Sequence, residues 1–487
     1  MQQTRDQRSS RTPIGDGPRP RLRVLTGAPA GSPPLRLAEP PPPSVPQPAP
    51  WRIAGHSFYL SVRVRFAVCV LSGLVWAALS TWLALPWIAE LGRAITLPLA
   101  AVLVAGIAII PGYLNVHLVV ALGLDRPRPL RHLPSHPALT LLVAAYNEER
   151  SIEETLRYAL RQDYPGELAI VVADDGSTDA TREIVRRAAL EHRRVRLVCA
   201  AHGGKSHALN AALETVTTPL VATIDADTLL MPCALRNAVA RLVVSPPDTV
   251  AVAGSVLVRN SRENLLSRAQ EWDYFLGIAS VKREQALLQG TLVAQGAFSV
   301  YDAEALRAAG GWPDMLGEDI VLTWGLLRNG GRVTFEPTAI AFTEVPTTLR
   351  HFVRQRQRWA RGMIEGLRTH GGALIRVRKP RTHSIAASYL FPYLDGVYTL
   401  AVIPGIVLAC FGNFAVVGPM TLAVLPISTA VAIVMYVRQR RVFEKLGLHV
   451  RWNPVGFVVY MLAYQLVMSP ISFAGYLKEL ASARRVW

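Results

Sequence analysis

Asp225 and Asp227 are the first residues of this chain to suggest chemistry. They stand two apart in Thr223-Ile224-Asp225-Ala226-Asp227-Thr228, at the end of the apolar run Leu220–Ile224. If that run is a strand, both side chains project to the same side of it. Carboxylate oxygens suit a hard cation such as Mg²⁺ or Mn²⁺ that also holds a substrate phosphate. Acidic pairs are common in surface loops, so the weight of this one depends on its surroundings.

Strand-like and helix-like patterns alternate around it, over residues 137–345. Ala138–Ala145, Leu168–Ala173, Val195–Ala200 and Leu220–Ile224 read as strands. Asp179–Leu190 and Ser206–Thr215 read as helices, and Ser151-Ile152-Glu153-Glu154 is a capping-box pattern. Such alternation implies a parallel sheet covered on both faces. Ligands of such sheets bind beyond the carboxyl ends of the strands. Polar residues cluster there: Tyr146-Asn147-Glu148-Glu149, Asp174-Asp175-Gly176-Ser177, His202-Gly203-Gly204-Lys205 and Asp225-Ala226-Asp227. Each alone is an ordinary strand-to-helix loop. Four on one rim point to a nucleotide-and-metal site. Its acidic residues would repel a bare diphosphate, so a divalent cation must bridge. Lys205 can add charge near the phosphates or a donor to the base.

The 487 residues leave room for two or three domains. A net charge of +17 beside 51% hydrophobic residues implies that apolar and basic segments are kept apart. Cys69, Cys199, Cys233 and Cys410 are scattered without a C-x-x-C pair, and indicate neither a disulfide framework nor a zinc site. Phe66–Ala89 carries no charge over 24 residues. As a helix it is ~36 Å long, enough for a bilayer core of ~30 Å. Thr96–Leu122, Ile385–Phe411, Ala415–Val437 and Val455–Leu477 are further apolar runs, so five spans are expected. A signal peptide is not expected, because the first run starts too late and is too long. Residues 1–65 carry ten Arg against Asp6, Asp16 and Glu39, with prolines around 40–50. They read as a disordered cytosolic tail. No aromatic residues interleave its arginines, so no nucleic-acid partner is expected. The positive-inside rule then places residues 137–345 in the cytosol, in a multi-pass protein of the cell membrane. Lys478, Arg484 and Arg485 fall on the wrong side of a five-span layout, which either a re-entrant last segment or an Ile385–Phe411 that does not cross simply would resolve.

The order Ala145-Tyr146-Asn147-Glu148, Asp174-Asp175-Gly176-Ser177, Gly203-Gly204-Lys205, Ala208-Leu209-Asn210 and Asp225-Ala226-Asp227 resembles family 2 glycosyltransferases of the GT-A fold. Gly317-Glu318-Asp319 and Gln355-Arg356-Gln357-Arg358-Trp359 narrow the resemblance. The second matches the Q-x-x-R-W of processive, membrane-embedded synthases, which make cellulose, chitin, hyaluronan or poly-N-acetylglucosamine. The fold implied is α/β, a Rossmann-like GT-A domain inserted between transmembrane helices. The activity implied is extension and export of a β-linked polysaccharide from a UDP-sugar, with N-acetylglucosamine the first choice of sugar. The partners implied are the UDP-sugar donor, the growing polysaccharide, membrane lipids and an accessory membrane subunit; the cofactor is Mg²⁺ or Mn²⁺. A single transfer to a lipid-phosphate carrier and a non-catalytic nucleotide-sugar sensor are the alternatives.

The same resemblance distributes roles. Asp319 is the general base that deprotonates the acceptor hydroxyl, and Glu318 positions that base or the acceptor. Tyr146, Asn147, Glu148, Asp175, Lys205 and Asp225 bind the nucleotide sugar; Asp227 and Asp225 hold the metal. Gln355, Arg358 and Trp359 bind the acceptor and the diphosphate. In this family the residue before the Glu-Asp pair is often Thr, whereas here it is Gly317.

Read on a helical wheel, residues 349–367 place Leu349, Phe352, Val353, Ala360, Met363, Ile364 and Leu367 on one stripe. Gln355, Arg358, Trp359 and Gly362 share a flank, and Arg350, Arg354, Gln357 and Arg361 lie opposite. This predicts an interfacial helix within 346–382, its basic face toward lipid headgroups or the domain. Gly362 permits close approach to another element. Arg356 falls inside the apolar stripe, where an inward turn would make it a further phosphate ligand. Asp395, inside an apolar run, must line a cavity or pair with a basic group. Gln270-Glu271-Trp272-Asp273-Tyr274 and Gln295-Gly296-Ala297-Phe298 read equally as core or as acceptor-site segments. The remaining membrane helices fall within 66–122 and 383–480.

Overall fold

The computed structural model describes residues 60–126, 129–130, 133–377, 379–418 and 424–482. The tail expected to be disordered lies almost wholly outside them.

Eight strands form one sheet: β1 Leu139–Ala145, β2 Leu168–Asp174, β3 Val195–Cys199, β4 Leu220–Asp225, β5 Leu229–Leu230, β6 Thr249–Val258, β7 Phe298–Asp302 and β8 Arg332–Thr343. Their order is β3-β2-β1-β4-β7-β6-β8-β5. The first four are parallel, as the alternation predicts. Their side chains alternate between two buried faces. Leu141, Val143, Ile170, Val172, Ala222 and Ile224 enter one core; Leu142, Val171 and Val221 enter the other.

The sheet as a whole is mixed rather than parallel. β7 runs antiparallel to β4 and to β6. Ile224 at the end of β4 pairs with Phe298 at the start of β7. The segment Gln295-Gly296-Ala297 therefore arrives at the same rim as Asp225. A parallel β7 would have delivered it to the opposite edge.

Among the described residues, four helices are long and apolar enough to cross a membrane: Val62–Ala94, Leu97–Leu124, Arg381–Cys410 and Pro454–Leu480. Leu71, Val75 and Trp82 stand exposed along the first, an arrangement that suits a lipid surround and associates the chain with a membrane. The fifth expected span, 415–437, overlaps the helix Val424–Lys445. That helix ends in Arg438, Arg440, Arg441, Glu444 and Lys445, and Arg438 donates to the carbonyls of Asp125 and Gly123. Its second half thus packs at the foot of the second span rather than crossing.

The helix carrying Q-x-x-R-W, Leu349–Gly366, starts at the Thr348 cap. It lies against the last membrane helix. Gly475 there is open enough to admit Ala360 and the Gln357 backbone. Arg361, placed by the wheel on the face toward lipid headgroups or the domain, is buried and paired with Glu479 of the last membrane helix at 2.8 Å. Among the described residues no basic side chain pairs with Asp395. Its oxygens accept from Ser469 (2.7 Å), Gln465 (3.3 Å) and Tyr476 (3.0 Å), all on the last membrane helix. Neutral donors satisfy it and fasten that helix to Arg381–Cys410.

Candidate active site

Asp225 ends β4, and the Ala226 amide continues the ladder by donating to the Ala144 carbonyl. Lys205 opens the helix Lys205–Glu214, after Gly204 turns the chain at φ +95. Its ammonium lies 2.5 Å from Asp225 Oδ1 and 3.4 Å from Glu318 Oε1. Burial alone would lower the Lys205 pKa, but Asp225 and Glu318 outweigh it and hold the ammonium above its usual range. Gly296 lies directly beneath: a Cβ there would come within 2.5 Å of Lys205 Nζ.

Asp227 points along the same rim, where its Oδ1 accepts from Thr228 (3.3 Å) and Thr343 (3.2 Å). Burial, then the charges of Asp225 and Glu148, push its carboxyl up to about 7. Glu148 is itself raised, first by burial, while accepting from Ser151 at 2.6 Å. The charges of Asp225 and Glu148 are thus felt at Asp227, and the one ammonium paired with Asp225 among the described residues, that of Lys205, is already shared with Glu318. A divalent cation fits this donor set, since it supplies the charge the cluster lacks.

Asp319 and Glu318 open the helix Glu318–Arg328. Asp319 Oδ1 accepts from the Ile320 amide (2.8 Å) and Oδ2 from the Gly296 amide (3.3 Å). Glu318 is buried, and burial raises its pKa against the pull of Lys205. Gly317 meets Gly362 of the Q-x-x-R-W helix backbone to backbone; a Cβ on Gly317 would lie 2.5 Å from Gly362 Cα. The Gly317 amide also donates to Glu365 (3.0 Å). This contact seats the start of the Glu318–Arg328 helix against the Q-x-x-R-W helix. The Arg358 charge is felt at both Lys205 and Glu318.

Residues 136–362 match the family described as "Glycosyltransferase like family 2". A poly-beta-1,6-N-acetyl-D-glucosamine synthase of Staphylococcus epidermidis is 31% identical over 242 residues, 50% of this chain and 58% of that protein. The corresponding synthase of Staphylococcus aureus strain COL is 32% identical over 230 residues, 47% of this chain and 55% of that protein. The matched part thus spans little more than half the length of these relatives. A mannosyltransferase of Pyrobaculum calidifontis, solved with GDP-Man and Mn²⁺, superposes with a TM-score of 0.52 at 22% identity, over 87% of this chain and all of that one. Residues 136–362 thus match family 2 glycosyltransferases, and the fold is GT-A.

Not every expected residue faces the cleft of the glycosyltransferase domain. Asp175 is 4% exposed, and its oxygens accept from the Gly203 and Gly204 amides at 2.9–3.0 Å. Asn147, at φ +55, accepts from the Thr178 amide (2.8 Å). Both side chains shape the neighbouring loops. Tyr146 is exposed and stacks on His202, ring centroids 4.5 Å apart. Gln355 Oε1 is buried without a partner.

Arg356 turns inward, but onto a carboxylate rather than toward a phosphate site. Its Nη1 lies 2.6 Å from Asp273 Oδ2, and its guanidinium sits 4.2 Å from the Trp359 ring centroid. Asp273 also accepts from Tyr464 of the last membrane helix (3.1 Å). Gln270 donates to the Pro346 carbonyl and Trp272 to that of Asn453, so this segment joins the domain to the membrane helices. Sequence reasoning missed Lys282. It donates to Gln295 (2.5 Å) and to the Val293 carbonyl (2.9 Å). Burial drives it down to about 7 against the attraction of Asp319. Nothing in its local sequence, a charged helical stretch Lys282-Arg283-Glu284, distinguishes it from a solvated face.

Proposed function

We propose that the chain is a processive, inverting glycosyltransferase that extends a β-linked N-acetylglucosamine polymer from a UDP-sugar. Its catalytic domain works on the cytosolic side of a multi-pass membrane anchor, and the product leaves between the membrane helices. The observation that supports this reading best is the Gly317–Gly362 contact, which joins the helix that begins at Glu318-Asp319 to the Q-x-x-R-W helix. The names of the staphylococcal relatives support the sugar and the polymer.

In this reading the nucleotide lies on the rim formed by Tyr146, Glu148, Lys205 and Asp225. Asp227, Asp225 and Glu148 hold a divalent cation, which when bound neutralises the diphosphate. Trp359 offers an aromatic face to the acceptor sugar, and Gln355 and Arg358 reach the diphosphate. Asp319 takes the proton of the acceptor hydroxyl as its oxygen attacks the anomeric carbon. The new oxygen–carbon bond forms as the anomeric carbon–phosphate oxygen bond breaks, and UDP departs. Attack from the face opposite the leaving group inverts the anomeric centre.

Purified protein with Mn²⁺ or Mg²⁺ and each UDP-sugar in turn tests this. Release of UDP from UDP-N-acetylglucosamine with a lengthening polymer is expected. A product of one sugar on a lipid, or no UDP release with any donor, would overturn the reading.

A further inference from the structure

A second cluster of ligating side chains lies away from this cleft, where membrane helices meet the glycosyltransferase domain. His117 comes from the Leu97–Leu124 helix, Glu284 from Val281–Leu287 and His383 from the start of Arg381–Cys410. One ligating atom of each lies within 4.8 Å of the other two. His117 Nδ1 is 3.5 Å from Glu284 Oε1. That separation is close to the edge, ~3.4 Å, of a tetrahedron with bonds of ~2.1 Å.

Several observations distinguish the cluster from satisfied packing. His117 is 2% exposed, yet among the described residues its Nε2 has no hydrogen-bond partner, and neither has His383 Nδ1. Glu284 is also buried, and its ion-pair contact among the described residues is His117, with no Lys or Arg reaching it. Tyr113 Oη lies 2.8 Å from His383 Nε2. One ring nitrogen is thereby held and the other left to ligate. Cys69 is fully buried and packs with Ala121 and Leu287, one turn beyond His117 and Glu284. It brings a thiol to the same corner.

We propose that His117, Glu284 and His383 form a zinc site, separate from the Mg²⁺ or Mn²⁺ position at Asp227. Two imidazoles and a carboxylate suit Zn²⁺, whereas all-oxygen sets suit the harder ions. The two rings stack with centroids 4.2 Å apart and planes at 17°. In-plane lone pairs of stacked rings cannot meet at one ion, so zinc entry splays them. The ion then ties two membrane helices to the Val281–Leu287 helix. Lys282 on that helix holds Gln295, next to the Gly296 amide on Asp319, so the site braces the base from behind.

The test uses the full chain, purified in detergent without a polyhistidine tag, alongside Asp227→Ala. After exposure to zinc and dialysis, elemental analysis is expected to find one zinc per chain in both proteins. Cobalt in its place is expected to give the intense visible bands of a four- or five-coordinate ion. His117→Gln and, separately, Glu284→Gln should lower retained zinc by about tenfold or more. Both should also lose the cobalt bands and the zinc-dependent rise in Tm. The two variants guard against one that does not fold, and melting without zinc identifies such a case. No retained zinc in the unmodified chain, or equal retention in the folded variants, overturns the site.

Discussion

Gly317 and Gly362 touch without side chains between them, and that contact sets where Asp319 stands. A Cβ on either glycine would lie 2.5–2.6 Å from the other's Cα. Overpacking of this kind costs about 1–3 kcal/mol and is relieved by backbone movement. Gly317→Thr and Gly362→Ala are therefore each expected to slow sugar transfer sharply while UDP affinity stays within about twofold, since the donor rim does not move. Steady-state UDP release beside calorimetric UDP binding separates the two effects.

Asp319→Asn keeps the shape and the contact with Ile320 but loses proton acceptance. Transfer is expected to fall by about 10²–10⁴-fold with UDP binding preserved. Retained transfer with lost UDP binding would sink the assignment of Asp319 as the base.

Removing the buried Arg356 leaves Asp273, its side chain 13% exposed, without its cation. Breaking such a pair costs about 3–5 kcal/mol, so Arg356→Met should lower the Tm markedly. Arg356→Met with Asp273→Asn should recover part of the loss, because the orphaned charge is gone. Thermal melts of the singles and the double form the required cycle.

Asp227 sets a pH dependence. Its folded pKa is raised above the ordinary 3.8 to about 7, so the empty site resists ionising. The carboxyl's contribution to stability is present at low pH and is lost as pH climbs from near 4 through 7. Cation binding has the opposite sense, since the ion must displace that proton. Mn²⁺ affinity is expected to fall about tenfold per pH unit below 7 and to level off above it. Mn²⁺ titrations followed by electron paramagnetic resonance at pH 6, 7 and 8 check this, with Asp227→Ala as the baseline.

Much of the fold was legible in the residues. The four parallel strands and their polar ends could be read because apolar runs alternate with helices from Ala138 to Ile224, and the loops follow each run directly. The antiparallel β7 could not, because nothing local to Phe298–Asp302 fixes which way a buried strand runs. Gly362 announced a close approach, but its partner, 45 positions earlier, could be found only in three dimensions. Arg361 and Arg356 could not be assigned partners from the helical wheel, because the carboxylates they meet, Glu479 and Asp273, come from distant segments. A wheel records only which residues share a face. Asp175 and Asn147 stand in motifs that suggested ligand contact, yet their side chains hold loops.

Lys205 gives the two halves of the cleft a common conductor. One ammonium neutralises Asp225 on the donor rim and Glu318 beside the base. A diphosphate that draws it forward leaves Glu318 with less compensation. One lysine therefore ties the charge of the donor rim to that of the Glu318–Arg328 helix start, so a ligand that moves it is felt on both sides.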